Sequence, residues 1–121
     1  MAHQPDHNVE ITTDCHDTCL QTVSHCLDKG GDHARTEHVT LLLDCAEICQ
    51  TAANFMLRNS ELHSRVCALC AEVCDRCAED CEKLAADDDM MRQCAQACRR
   101  CAEACREMAQ HSGRPRHASA A

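Results

Sequence analysis

Apolar and small residues recur every three or four positions along most of this chain, and Glu, Asp, Gln and Arg fill the places between them. That spacing is the period of an α-helix with one buried stripe, and no segment alternates apolar and polar residues over the length of a strand. Punctuation cuts the pattern into four. Gly30 and Gly31 read as a helix stop, Asn59 or Ser60 offers an N-cap, and Asp87 to Asp89 put acid where a helix dipole favours it. The predicted helices lie near 8–29, 33–58, 60–86 and 88–111. Short links between long helices make antiparallel neighbours. The expected fold is therefore all-α, an antiparallel up-down four-helix bundle over 1–111 followed by a flexible tail at 112–121.

The buried stripe has an unusual content. In "CALCAEVCDRCAEDC", five thiols fall in fifteen residues: Cys67, Cys70, Cys74, Cys77 and Cys81. At about 100° per residue they share an arc of about 80°, and Cys94, Cys98, Cys101 and Cys105 share about 60°. Cys15, Cys19 and Cys26 align on the first helix, and Cys45 and Cys49 on the second. One unit repeats as "CAEIC", "CAEVC", "CAEDC", "CAQAC" and "CAEAC", with a looser copy, "CHDTC". These are seam positions, where Leu would ordinarily sit. A cysteine-lined core is expected.

Composition sharpens that expectation. The chain has 121 residues, 14 Cys, one Phe and no Trp or Tyr, so aromatic packing cannot fill the middle. A formal charge of -8 argues against nucleic-acid binding. There is no apolar run for a membrane span, and the start, "MAHQPDHNVEITTDC", has neither the basic nor the apolar part of a secretory leader. The expected location is cytoplasmic, where thiols stay reduced.

Thiols used only as small hydrophobes would leave an underfilled core. Disulfides within one helix are badly placed, because Cβ atoms at i,i+4 lie about 5–6 Å apart and a disulfide wants about 3.5–4.5 Å. Metal suits the spacing better, since two thiolates on one cation stand up to about 4.6 Å apart. Thiolates favour Cu(I), zinc and iron–sulfur clusters. Several zinc–tetrathiolate sites would bury a polyanion, whereas one Cu(I) per thiolate leaves the core neutral. The iron–sulfur run ending in Cys-Pro is absent from the sequence. The leading expectation is multiple Cu(I), about one per cysteine, with all 14 cysteines as ligands. A zinc or cadmium thiolate buffer and a thiol redox or sensor protein stand as alternatives. No Glu-x-x-His motif, nucleophile elbow or phosphate loop marks an enzyme.

Antiparallel packing brings Met56, His63 and Met108 to one end of the stripes, with His111 at the edge and His7 close by. These weaker ligands are candidates to admit copper, His63, Met108 and His111 foremost. The other end holds Cys26, His38, Cys81 and Cys94, near Met90 and Met91, with Leu41, Leu42 and Leu84 as a plug. His3, His16, His25, His33 and His117 read as solvated. Leu62, Val66, Leu69 and Val73 form a second stripe, facing either a neighbouring helix or another copy of the chain.

The repeated Cys-Ala-x-x-Cys units, the four-helix length and the His and Met residues at one end resemble the bacterial copper storage proteins of cytosolic type. The resemblance runs from about residue 8 to 111. It implies a cysteine-lined bundle holding many Cu(I) ions along its axis, assembled as a homotetramer and exchanging copper with a donor or acceptor protein. The first two helices carry fewer cysteines than that resemblance implies.

Overall fold

The computed structural model describes residues 4–111. Four helices, α1 (Gln4–Lys29), α2 (Thr36–Leu57), α3 (His63–Lys83) and α4 (Asp89–Gln110), form the bundle, and a short 3-10 helix at Gly31–Ala34 joins α1 to α2. Among the described residues there is no strand, and no helix is long and apolar enough to cross a membrane. Backbones adjoin around a square, α1 on α2, α2 on α3, α3 on α4 and α4 on α1. His3, His117 and the 112–121 segment lie outside the described residues.

The links explain where the helices begin. Gly30 and Gly31 take the left-handed region, with φ of 73° and 58°, where a side chain would be strained. Gly30 N–H closes α1 on Cys26 C=O at 3.0 Å. The 3-10 turn that follows uses up Gly31–Ala34, so α2 starts at Thr36 and not near 33. Asn59, at φ 53°, makes the turn after α2, a conformation Asn tolerates better than most residues. Ser60 Oγ accepts from Leu62 N–H at 3.0 Å. Neither Asn59 nor Ser60 caps α3, which begins at His63 after Leu62 without a side-chain cap. At α4 the cap is Asp88, whose carboxylate accepts from Met91 N–H at 3.2 Å.

The core is small-residue and sulfurous. All 14 cysteines are buried, at 1% exposure or less. Ala46, Ala52, Ala71, Ala78, Ala95 and Ala102 pack beside them, so the alanine of each repeat lets backbones approach and brings thiols together. Outside, Arg99 bridges α4 to Asp75 and Glu82 of α3, and Arg106 reaches Asp75. These exposed pairs set register and contribute little energy.

Candidate metal centre

Ten of the 14 thiols form one connected array. From Thr12 Oγ1 a path of contacts runs to Cys105 (3.9 Å), Cys101 (3.9 Å), Cys49 (3.7 Å), Cys74 (3.7 Å) and Cys45 (3.7 Å). It continues to Cys98 (3.9 Å), Cys19 (3.9 Å) and Cys94 (4.0 Å). Cys15 joins at Cys45 and Cys98, and Cys70 at Cys49 and Cys74. The Cys45–Cys98 step crosses the square between helices whose backbones do not adjoin. None of the 14 cysteines is in a disulfide. Sulfurs held at about 3.7–4.0 Å suit three or four thiolates around one cation with bonds of about 2.3 Å.

Four groups of four Sγ atoms lie within 4.8 Å of one another: Cys15, Cys45, Cys49 and Cys74; Cys15, Cys19, Cys45 and Cys98; Cys19, Cys77, Cys94 and Cys98; and Cys49, Cys70, Cys74 and Cys101. They share members. A set of separate zinc sites needs separate ligands, whereas overlapping groups suit bridging thiolates, each sulfur serving two soft cations. Cys67 and Cys105 extend the array towards the Met108 end, and Cys81 and Cys26 extend it the other way.

Acid–base coupling follows from that crowding. The neighbouring thiols, joined by burial, hold Cys19, Cys49, Cys74, Cys81, Cys98 and Cys105 above the ordinary thiol value. Burial, with the nearby Cys94 charge, raises Cys26 to about 11. The same contacts lower Cys15, Cys45, Cys70 and Cys94, so the thiols titrate as a set and not one by one. A cation taken into the array displaces protons, so its affinity rises with pH.

At the end where α2 stops and α3 starts, Met56, His63 and Met108 are buried and join the core. His63 Nδ1–H donates to Ser60 C=O at 2.8 Å. That bond leaves the Nε2 lone pair free, and among the described residues buried Nε2 has no hydrogen-bond partner. An orphaned imidazole nitrogen costs free energy unless a ligand takes it. His111 is exposed, its Nδ1–H on Glu107 C=O at 3.0 Å, and His7 is exposed as well. Both stand outside the buried end, His7 lining a surface groove of about 550 Å³ with Asn8, Ile11 and Glu107. Buried Asn8, whose Nδ2 has no partner among the described residues, and buried Thr12 and Thr22 were absent from the sequence expectation. Counting back from Cys15 by three and four along α1 reaches Thr12 and Asn8, which was the available signal.

The other end differs. Cys26, His38, Leu42 and Met91 are fully buried, while Leu41, Leu84 and Met90 are only partly so. Just outside, His25 and His33 are only partly exposed and are held by Asp88, where the sequence expectation had them solvated. His25 Nε2–H donates to Asp88 at 2.8 Å, His33 Nε2–H at 3.1 Å and Lys29 Nζ at 3.3 Å. Asp88 is turned inward by capping α4 and collects donors from α1 and the 3-10 turn. Burial works against its charge, but the bonds from His25, Met91 N–H and Lys29 win and hold it well below the usual carboxylate range. His16 is partly buried and pairs with adjacent Asp17 at 2.8 Å.

The sequence model of the family described as copper storage protein (Csp) matches residues 1–110. The chain belongs to the copper storage protein family. Several solved structures resemble it. A protein of Nitrosospira multiformis is 43% identical, with a TM-score of 0.84 over 91% of this chain and 98% of that one. The Cu(I)-bound copper storage protein BsCsp3 is 34% identical, with a TM-score of 0.81 over 88% and 99% of the two chains. The apo form of copper storage protein 3 from Bacillus subtilis is 36% identical, with a TM-score of 0.77 over 86% and 97%. The uncharacterized cysteine-rich protein YhjQ of Bacillus subtilis is 37% identical over 64 residues, which span 53% of this chain and 59% of that relative. For a copper storage protein the unbroken sulfur path is the feature to explain.

Proposed function

We propose that this chain stores Cu(I) along the axis of its bundle, buffering and detoxifying copper. All 14 cysteines are the ligands, at about one ion per thiolate. The observation that carries the reading is the path of Sγ contacts of 3.7–4.0 Å from Cys105 to Cys94, along which a cation can pass by exchanging one thiolate at a time. Family membership and the Cu(I)-bound BsCsp3 support it. So does charge, because one Cu(I) per thiolate neutralises the buried anions.

His63, Met56 and Met108 admit the ion, and exposed His111 and His7 present it to them. Copper comes from or goes to another protein docked at that end. Residues 1–111 act as the one metal-binding unit. The cytoplasm suits fourteen unpaired thiols. A catalytic role is not assigned, because redox catalysis needs an exposed, activated thiol and these are buried. Exposed Leu57, Leu62 and Leu69 suit burial between copies, in a tetramer. Copper-edge X-ray absorption of the loaded, reduced protein tests the chemistry. A sulfur-dominated shell with short copper–copper scattering supports a bridged array, and a nitrogen–oxygen shell refutes it.

A further inference from the structure

The sealed end carries donor atoms that storage on thiolates alone leaves unexplained. His38, on α2, is fully buried. Its Nδ1 lies 2.7 Å from Oδ2 of Asp80 on α3, and a carboxylate accepts, so Nδ1 carries the proton. The lone pair is thereby fixed on Nε2, which stands 3.3 Å from Cys26 Sγ on α1. Cys26 Sγ also stands 3.6 Å from Met91 Sδ on α4. A fully buried thiol thus stands against an imidazole nitrogen and a thioether from two other helices, both on fully buried side chains, and the fourth helix supplies the carboxylate that orients the imidazole.

We infer that Cys26, His38 and Met91 form a mixed-donor Cu(I) site that terminates the thiolate array at its sealed end, with Asp80 as its positioning residue. The inference rests on the copper storage reading and adds a site of different chemistry to it. The donor set is right for the ion, since thiolate and thioether are soft and imidazole suits copper. The charge also balances, one thiolate against one Cu(I). The spacing is nearly right. Bonds of about 2.0–2.3 Å from one cation hold such donors about 3.5–4.0 Å apart, so the site opens by a few tenths of an ångström to take the ion. Carboxylate to imidazole to metal is a recurring arrangement for fixing the tautomer and raising ligand basicity. The rival account is a satisfied core histidine that merely fastens α2 to α3.

The two accounts separate by nitrogen NMR of the imidazoles, which diamagnetic Cu(I) permits. Fully reduced protein labelled with 15N-histidine is titrated anaerobically with Cu(I), and the copper bound is counted in the same samples. His38→Gln assigns the resonance. The expected result is that Nε2 of His38 leaves its unprotonated position on loading while Nδ1 stays protonated, and that His38→Gln binds one ion fewer. Asp80→Asn, which keeps the thiol, should weaken that last ion by about 10–100-fold. Full loading with Nε2 of His38 unmoved overturns this inference alone. Failure of the whole chain to load overturns the storage reading beneath it.

Discussion

The two ends of the bundle are built from similar residues and are wired differently. Each has a buried histidine and a buried methionine beside the cysteine stripes: His63 with Met56 and Met108 at one, His38 with Met91 at the other. At the first, the buried Nε2 of the imidazole has no hydrogen-bond partner among the described residues, and His7 and His111 are exposed. At the second, the imidazole is gripped by Asp80 and Cys26, and outside it lies the hydrogen-bonded clasp of Asp88 with His25, His33 and Lys29. The lesson is that residue type does not set an end's role. Which nitrogen is satisfied, and what covers it, separates the proposed port from the proposed stop.

Severing the path between the ends should have the largest effect. Cys49→Ser with Cys74→Ser removes two adjacent thiols and three steps of the path, and Cys74 by itself contacts Cys45, Cys49 and Cys70. Copper capacity should fall by at least two ions, with far-UV circular dichroism used to check that the helices persist. An unchanged capacity would mean that the ions bind elsewhere. Next comes the port. His63→Ala should slow Cu(I) uptake several-fold, read by stopped-flow transfer from a chromophoric complex, while capacity falls by no more than one ion. Equal rates would remove His63 from the route.

The clasp offers a third, smaller test. Asp88→Ala loses the α4 cap and three side-chain donors, and should cost about 1–2 kcal/mol in urea unfolding, typical of a lost cap. The depressed carboxyl gives the pH dependence its sign. Its contribution is present above the unfolded value of about 3.9 and disappears as pH falls through the lower folded value. The variant should therefore lose less stability than the parent on going from pH 5 to pH 2. A fourth change should leave both ends alone: Leu69→Arg charges the exposed stripe of α3 and should give monomers in analytical ultracentrifugation with copper capacity unaltered. A tetramer that survives would move the contact to another face.

Much of this was legible in the residues. Helical spacing with Cys in the seam gave the four helices, the sulfur-lined axis and the end to which Met56, His63 and Met108 come. What escaped depends on pairs distant in sequence. Asp88 reads as one acid in a run of three, and only the fold shows it drawing His25 and His33 from across the bundle. Asp80 sits in "CAEDC" as an apparent surface acid, and its bond to His38 spans 42 residues. The start of α2 shifted because a 3-10 turn is too short to leave a periodic signature. Asn8 and Thr12 lay on the stripe but were polar, and a search for apolar or sulfur positions passes over them.

The central claim is that the buried thiolates hold Cu(I) as a store. The most direct measurement is an anaerobic titration of the fully reduced chain with Cu(I) against a chromophoric chelator, with zinc in parallel. The account predicts copper binding of about one ion per cysteine, on the order of 14 per chain, with zinc saturating far lower. Saturation at one to four ions of either metal would contradict it.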